Sequence, residues 1–403
     1  MKGTLNAHRL FAGTDKHNGY SGNLKISAQQ QQALRDARDL IRKTLREGMP
    51  LQEHVIKSHG LIDQAFLQDG GSISLRPKFR MQGSAVYHTL NDPAHKPPQE
   101  IDYDDGVFLP TSYLVKSNRP ALTARGYFKA VENALSTMCK TQGWILDTSK
   151  NSCVRVKISD LAHIDVPLYA IPDEEFERLV EAARASAEFA AADSAVDDVS
   201  FSEPMFKSLR DDQIMLAVRD KGWLESDPRK IEDWFLEAIR DHGESLRYVC
   251  RYLKGWRDFT WKKSSLSSLS LMACAVRIFD DFNGAPPKSR HDLALLLVAE
   301  QLPRLLAGSI ENPVLDDQLL NEEWSDQERT EFVTGAERLY AGLQNALQET
   351  VHKGLAIRHL QNLFGPRIPT DEALIDLESE ETTVYTYEPR RTASPIVPRT
   401  ISG

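Results

Sequence analysis

Cysteine is scarce and unpatterned in this chain: four in 403 residues, Cys139, Cys153, Cys250 and Cys274, with no C-x-x-C spacing. That excludes a zinc knuckle or a disulfide framework and leaves the reduced, buried thiols of a cytosolic protein. Long apolar runs are missing too. The longest, Leu293 to Ala299, is far short of the roughly 20 residues a membrane span needs. No apolar stretch follows Met1-Lys2-Gly3-Thr4, so no secretory signal is expected and the reading is cytoplasmic. Positive charge is in deficit: 49 Lys and Arg against 58 Asp and Glu give a net charge of −9. A generic nucleic-acid coat or a binder of anionic membranes is set aside, while a local basic groove stays compatible with that balance. No segment repeats at a fixed period, which removes solenoids and propellers.

What is present, 41% hydrophobic and 27% charged residues, is the mixture of a globular protein, long enough for about two to four folding units. Ser27 precedes a run, Ala28 to Glu47, with Leu34, Leu40, Ile41 and Leu45 at helical spacing, closed by Gly48 and Pro50. This predicts an N-capped amphipathic helix. A second helix is expected over Leu51 to Leu67, before Asp69-Gly70-Gly71-Ser72 breaks the chain. From Lys78 the texture changes. Strand-like runs (Phe79–Gln82, Ile101–Leu109, Val154–Ser159, Ala162–Ala170) alternate with helical ones (Ala85–Leu90, Ala121–Met138), describing a small mixed sheet. After Pro172 the reading is helical throughout. Asp173 to Asp198 is helix passing into a mobile connection, and Ser226-Asp227-Pro228 opens a helix to about Asp241. Further helices are expected near Glu244–Trp261, Ser268–Phe282, Arg290–Leu306, Gln327–Glu349 and His352–Leu363. The acidic, proline-containing last thirty-odd residues resemble a disordered tail. The fold class is thus α+β: N-terminal helices plus a mixed-sheet core over 1–215, a helical domain over 216–370, and a tail over 371–403.

The chemistry sits in three short motifs. Gln82-Gly83-Ser84 ends a strand and opens a helix; a glycine lets the backbone approach a phosphate, and a helix start presents free N–H groups. Asp102-Tyr103-Asp104 lies on the next strand, where alternation puts both carboxylates on one face. Asp165, inside His163-Ile164-Asp165-Val166-Pro167, would be costly to bury unpaired. Same-facing carboxylates repel unless a cation lies between them, and magnesium suits carboxylates with phosphate oxygens. Phosphate cradle plus three aspartates is the equipment of two-metal nucleotidyl transfer, with two Mg2+ ions. Asp105 is expected to point away and to fix a turn before Gly106. His163 is expected to lie off Asp165's face in a structural role, and Trp256 and Trp261 to be core.

The run Gln82 to Asn91 followed by Glu100 to Pro110 closely resembles the bacterial DncV-like cyclic-dinucleotide synthases, relatives of cGAS within the CD-NTase family of CBASS anti-phage systems. The likeness continues in His163 to Pro172, Ser226-Asp227-Pro228 with Glu232 to Phe235, Lys254 to Asp258 and Ser267 to Met272. It covers about residues 20 to 310. It implies a polymerase-beta-like nucleotidyltransferase domain with Asp102, Asp104 and Asp165 as catalytic Mg2+ ligands. Gln82, Gly83 and Ser84 would hold the donor triphosphate and Tyr87 would lie beside the nucleotide. Arg155 and Lys254 would meet phosphates, Ser267 and Ser268 a nucleotide, and Asp317 or its neighbour Asp316 a base edge. Seventeen residues, Asn91 to Pro98 among them, separate Ser84 from Asp102; that is longer than polymerase-like relatives use, agrees with the DncV-like branch, and is expected to cover the site. The resemblance further implies ATP and GTP as substrates, 3′,3′-cyclic GMP-AMP as product, a separate effector that the product activates, and no DNA sensing, since the zinc insertion of animal cGAS is lacking. A fused E1–E2 conjugating enzyme would join the carboxylate of Gly403 to other molecules through an isopeptide bond. Two rivals stand beside this reading: a related synthase with another cyclic or linear product, and a catalytically silent nucleotide-binding scaffold.

Overall fold

The computed structural model describes residues 5–114, 118–187, 203–210, 213–282 and 289–377. The expected tail, Gly403 included, and the end of the segment beyond Ala187 lie outside them. A seven-stranded sheet dominates the first half. Its centre is the pair Ile101–Thr111 and Ala162–Pro172, which run parallel. Lys78–Gln82 flanks the first antiparallel, and Cys153–Ser159 flanks the second, carrying Ile145–Asp147 on its outer edge.

Alternation along the central pair separates two environments. Ile101, Tyr103, Val107, Leu109, Ile164, Val166 and Leu168 enter one buried core with Leu34, Ala37, Ile41 and Leu45 of the helix Ala28–Gly48 and with the helix Ala124–Gln142. The first of these helices starts as its sequence requires. Ser27 Oγ accepts from the Gln30 N–H and the Gln30 side chain returns a bond to the Ser27 N–H, a complete capping box. The opposite face carries Asp102, Asp104 and Asp165 at one end, and Phe108 and Tyr169 stacked at 4.7 Å further along.

Several expectations need correction. Leu51–Leu67 is not one helix: a short 3-10 turn at Pro50–Gln52 leads into Glu53–Ser58, Gly60 at φ +63° turns the chain, and Gln64–Gln68 follows. Ala85–Leu90 is not helical. Only Gly83–Ala85 forms a 3-10 turn, and His88 at φ 57° breaks the i→i−4 ladder. Asp105 makes no turn, because the strand continues through Gly106; buried, it accepts both arms of Arg42 from the helix behind the sheet. The chain is not all helical after Pro172. Met215–Val218 and Gly222–Glu225 form a hairpin that joins the sheet beside Tyr169 and Ala170, so the sheet extends past the boundary expected at 215/216.

The second half is a bundle built on Pro228–His242, Glu244–Thr260, Ser268–Asp281, His291–Ala307, Asp326–Leu347 and Lys353–Phe364. Its core also takes Leu5, Leu10, Phe11, Tyr20 and Leu24. The N-terminal residues thus belong to the helical half, not to the sheet domain. Asp292, fully buried at the start of its helix, accepts the Ala7 N–H at 2.8 Å and pairs with Arg290. Asp376–Leu377 pairs antiparallel with Leu5–Asn6, so the bundle extends beyond residue 370. All four cysteines are free and buried. Among the described residues no helix is long and apolar enough to cross a membrane.

Candidate active site

The sheet face with the aspartates opens onto a cavity of about 860 Å³ between the two halves. Gly83, Ser84, Tyr87, Asp102, Asp104 and Arg155 line it from the sheet side, and Lys254, Arg257, Ser267 and Ser268 from the bundle. A larger cavity, about 960 Å³, lies behind Trp261 in the bundle. It holds neither the aspartates nor the glycine turn, so the chemistry assigns the site to the smaller one.

Two cross-strand rows build the acidic end. In one, Asp102, His163 and Lys157 lie opposite one another on three neighbouring strands; in the next, Asp104, Asp165 and Arg155 do. Arg155 grips Asp165 with Nε and Nη2, each 2.6 Å from a carboxylate oxygen. Residues two apart on a strand share a face, and His163 accordingly sits beside Asp165, against expectation. Its Nε2 is 3.0 Å from Asp102 Oδ1, and its Nδ1 is 2.6 Å from Glu100 Oε2. Ionised carboxylates only accept, so both ring nitrogens carry hydrogens. Burial works against that charge, but the bond and charge of Asp102 outweigh it and raise the His163 pKa.

The same forces order the aspartates. For Asp102, confinement disfavours ionisation, yet the His163 bond and charge, with Arg155 and Lys254, hold it below the ordinary carboxylate range. Asp104 is pushed well above that range by burial and then by the charges of Asp102 and Asp165. Its carboxylate abuts Gly83, where a β-carbon would lie 2.1 Å from Oδ2; with φ at +69°, only glycine fits. Donor atoms of Asp102, His163 and Asp165 lie within 4.8 Å of one another; Asp104 is not part of that group. Crowded carboxylates, one driven toward its neutral form by the others, suit a hard divalent cation.

Lys254 stands on the bundle wall of the cavity. It is buried, donates to the Thr89 carbonyl at 2.9 Å, and is pushed down to about 8 by burial and by Arg257. The Ser267 hydroxyl caps its helix by accepting from the Ser270 N–H, and the Ser268 hydroxyl accepts from Arg257 at 3.1 Å. Gln82 turns its amide to the Tyr169 hydroxyl at 3.3 Å and lies outside the cavity lining. Asp316 and Asp317 are exposed and also outside that lining. Trp256 is core as expected, whereas Trp261 touches the cavity. Within the Asn91–Pro98 segment, Asn91, Pro93 and Pro98 form part of the cavity wall. His95 Nε2 meets the Phe259 carbonyl at 2.9 Å, and Gln99, just beyond, donates to the carbonyls of Asp258 and Trp261. Lys150, Lys262 and Lys263 also line the cavity. Sequence reasoning missed them because loop lysines have no periodicity to mark them.

Comparisons with known proteins agree. Residues 77–169 match the nucleotidyltransferase domain described as cyclic GMP-AMP synthase DncV-like, and residues 243–377 match the cyclic GMP-AMP synthase C-terminal domain. A cyclic GMP-AMP synthase of Escherichia coli is 33% identical over 346 residues, covering 82% of this chain and 77% of the relative. One from Vibrio cholerae is 28% identical over 93% of this chain and 94% of the relative. Among solved structures, the Vibrio cholerae di-nucleotide cyclase DncV in complex with GTP and 5MTHFGLU2 superposes with a TM-score of 0.76 at 27% identity, covering 93% of this chain and 100% of that one. The same organism's DncV with the linear intermediate 5′ pppA(3′,5′)pG gives 0.74 at 26% identity, covering 94% and 100%. The acidic rows, the glycine turn and this likeness along nearly the whole chain lead to one conclusion: the chain belongs to the DncV-like cyclic GMP-AMP synthases, a family of nucleotidyltransferases.

Proposed function

We propose that the chain joins ATP and GTP into 3′,3′-cyclic GMP-AMP by two rounds of nucleotidyl transfer at this one cavity. In each round the 3′-oxygen of one nucleotide bonds to the α-phosphorus of another, the bond from that phosphorus to the pyrophosphate oxygen breaks, and the hydroxyl proton passes to solvent. The observation that carries the reading is the two cross-strand rows that bring Asp102, Asp104 and Asp165 together beside the Gly83-Ser84 turn, with Asp102, Asp104 and that turn lining a cavity whose far wall carries Lys254 and Arg257. Asp102, Asp104 and Asp165 would hold two magnesium ions, whose chemistry is charge neutralisation at the reacting phosphate and a lowered pKa for the attacking hydroxyl. Gly83 and Ser84 cradle the donor triphosphate, and Gln82 supports that turn from below. Lys254 neutralises phosphate, while Arg155 acts on phosphate at the cavity edge or through Asp165. Tyr87, Ser267 and Ser268 position the nucleotides. Asp317 reads a base only if its loop folds inward.

The wider role that we propose is the one the resemblance implies. The product serves anti-phage defence in the cytoplasm by activating a separate effector, and the Gly403 carboxylate is joined to other molecules by an E1–E2 enzyme. The deciding experiment supplies all four nucleoside triphosphates and identifies the product by mass spectrometry, with the Asp102→Ala, Asp104→Ala double variant alongside. Cyclic GMP-AMP from the parent, falling by at least about 10³-fold in the variant, is the expected result. Cyclic di-AMP or a linear product would replace the assigned reaction with a sibling's. Unchanged synthesis by the variant would remove the metal assignment.

A further inference from the structure

We infer that His163 is a positioning residue for the metal-binding carboxylates, holding Asp102 by one oxygen so that the other stays free for a divalent cation. The inference rests on the metal site proposed above. Its starting point is an imbalance in the first acidic row: 54% of the Asp102 side chain is exposed to the cavity, whereas 6% of the His163 side chain is. A short carboxylate on an open face samples more than one rotamer, and a rotamer turned away from the other ligands does not share an ion with them. His163 restricts that freedom from the protein side. Nε2 donates to Asp102 Oδ1 at 3.0 Å, and the ring cannot swing away because Nδ1 donates to Glu100 Oε2 at 2.6 Å. Glu100 is anchored in turn by Lys157 Nζ at 3.2 Å, from the strand on the far side of His163.

In the second row Arg155 also holds a carboxylate, but it engages both oxygens of Asp165. Each of these two carboxylates therefore has its own nitrogen donor, one from each row, and Asp104, outside their group of donor atoms, has Gly83 against it. His163 could itself ligate a metal, since its donor atom lies in the group with Asp102 and Asp165. Both its nitrogens are already committed to carboxylates, however, and magnesium prefers oxygen donors. Outer partners of this type tune affinity by orienting the ligand.

Binding of manganese, a spin-active substitute for magnesium, tests this without turnover. The full chain and its His163→Ala, His163→Gln, Glu100→Ala and Asp102→Ala, Asp104→Ala variants would be titrated with Mn2+ and followed by electron paramagnetic resonance, with thermal melts to verify folding. The expected result is an affinity about 10- to 100-fold weaker in His163→Ala and an intermediate loss in Glu100→Ala. His163→Gln, whose amide reaches the place of Nε2, should recover most of the affinity. The divalent concentration for half-maximal synthesis should rise by more than kcat falls. Unchanged Mn2+ affinity in a folded His163→Ala would overturn the inference. So would a nitrogen hyperfine coupling in the parent that disappears in that variant, because His163 would then be a ligand. Loss of affinity in His163→Ala without loss in the aspartate double variant would instead overturn the metal site itself.

Discussion

At the scale of single residues, the site sets charged groups at odds with their surroundings. Lys254 is the clearest case. Its ammonium is buried and donates to the Thr89 carbonyl, and its pKa falls to about 8 from 10.5. Two consequences run in opposite directions. Nucleotide binding that uses this charge should weaken as pH rises through about 8, by roughly tenfold or more for one charge-assisted contact. Stability should do the reverse. Below pH 8 both folded and unfolded chains carry the proton and the folded state bears the full burial penalty. Between about 8 and 10.5 the unfolded chain binds more protons than the folded one, so unfolding becomes harder. Binding and denaturant titrations at pH 7 and 9 measure both, and Lys254→Met is expected to bind weakly at either pH with no alkaline decline. The local pairing of Asp102 with Asp104 was legible in the sequence because period-two alternation is a property of any strand. His163 obeys the same rule, and its neighbourhood with Asp165 was readable from the two-residue spacing alone.

At the scale of elements, the chain enforces its helix starts with side chains, and one start does more than cap. Asp227 accepts from the Arg229 N–H at the head of Pro228–His242 and also binds the Arg229 guanidinium, with both residues buried. Arg229 reaches on to the carbonyls of Phe206 and Leu209, tying the bundle to the chain just before the sheet hairpin. Asp227→Ala should therefore cost about 3–5 kcal/mol, the penalty for an uncompensated buried charge, well above the ~1 kcal/mol of an ordinary cap. Chemical denaturation measures it. A value near 1 kcal/mol would mean that the remaining partners of Arg229 satisfy it without Asp227. Asp227-Pro228 announced this helix start in the sequence, as Ser27 did for Ala28–Gly48. The hairpin at 215–225 went unseen because Met-Leu-Ala-Val is as good a helix run as a strand until the open edge beside Tyr169 is in view.

At the scale of the whole molecule, the cavity exists because the two halves are bolted around it. Arg80 on the sheet reaches Glu232 on the bundle at 2.9 Å, both nearly buried. Asn91 bonds the Arg251 carbonyl, and Arg367 meets the carbonyls of Asp92 and Pro93. A ligand spanning both walls should then stabilise the chain as one unit. At 100 times its dissociation constant a non-reacting nucleotide analogue should add about 2.7 kcal/mol, raising Tm in a single cooperative transition. Calorimetry showing only one of two resolved transitions to move would mean that the halves unfold independently.

The sequence by itself determined the central strands, the shared face of Asp102 and Asp104, the capped helices and the burial of the cysteines. Each of these follows from local spacing and the chemistry of neighbouring residues. Only the tertiary structure decided that Leu5 to Leu24 join the helical half, that Arg42 rather than a turn satisfies Asp105, and that Glu100 and Lys157 stand behind His163. Those partners come from segments far apart in the chain or from adjacent strands in a specific register. Which carboxylate meets which cation is fixed by packing the whole sheet at once.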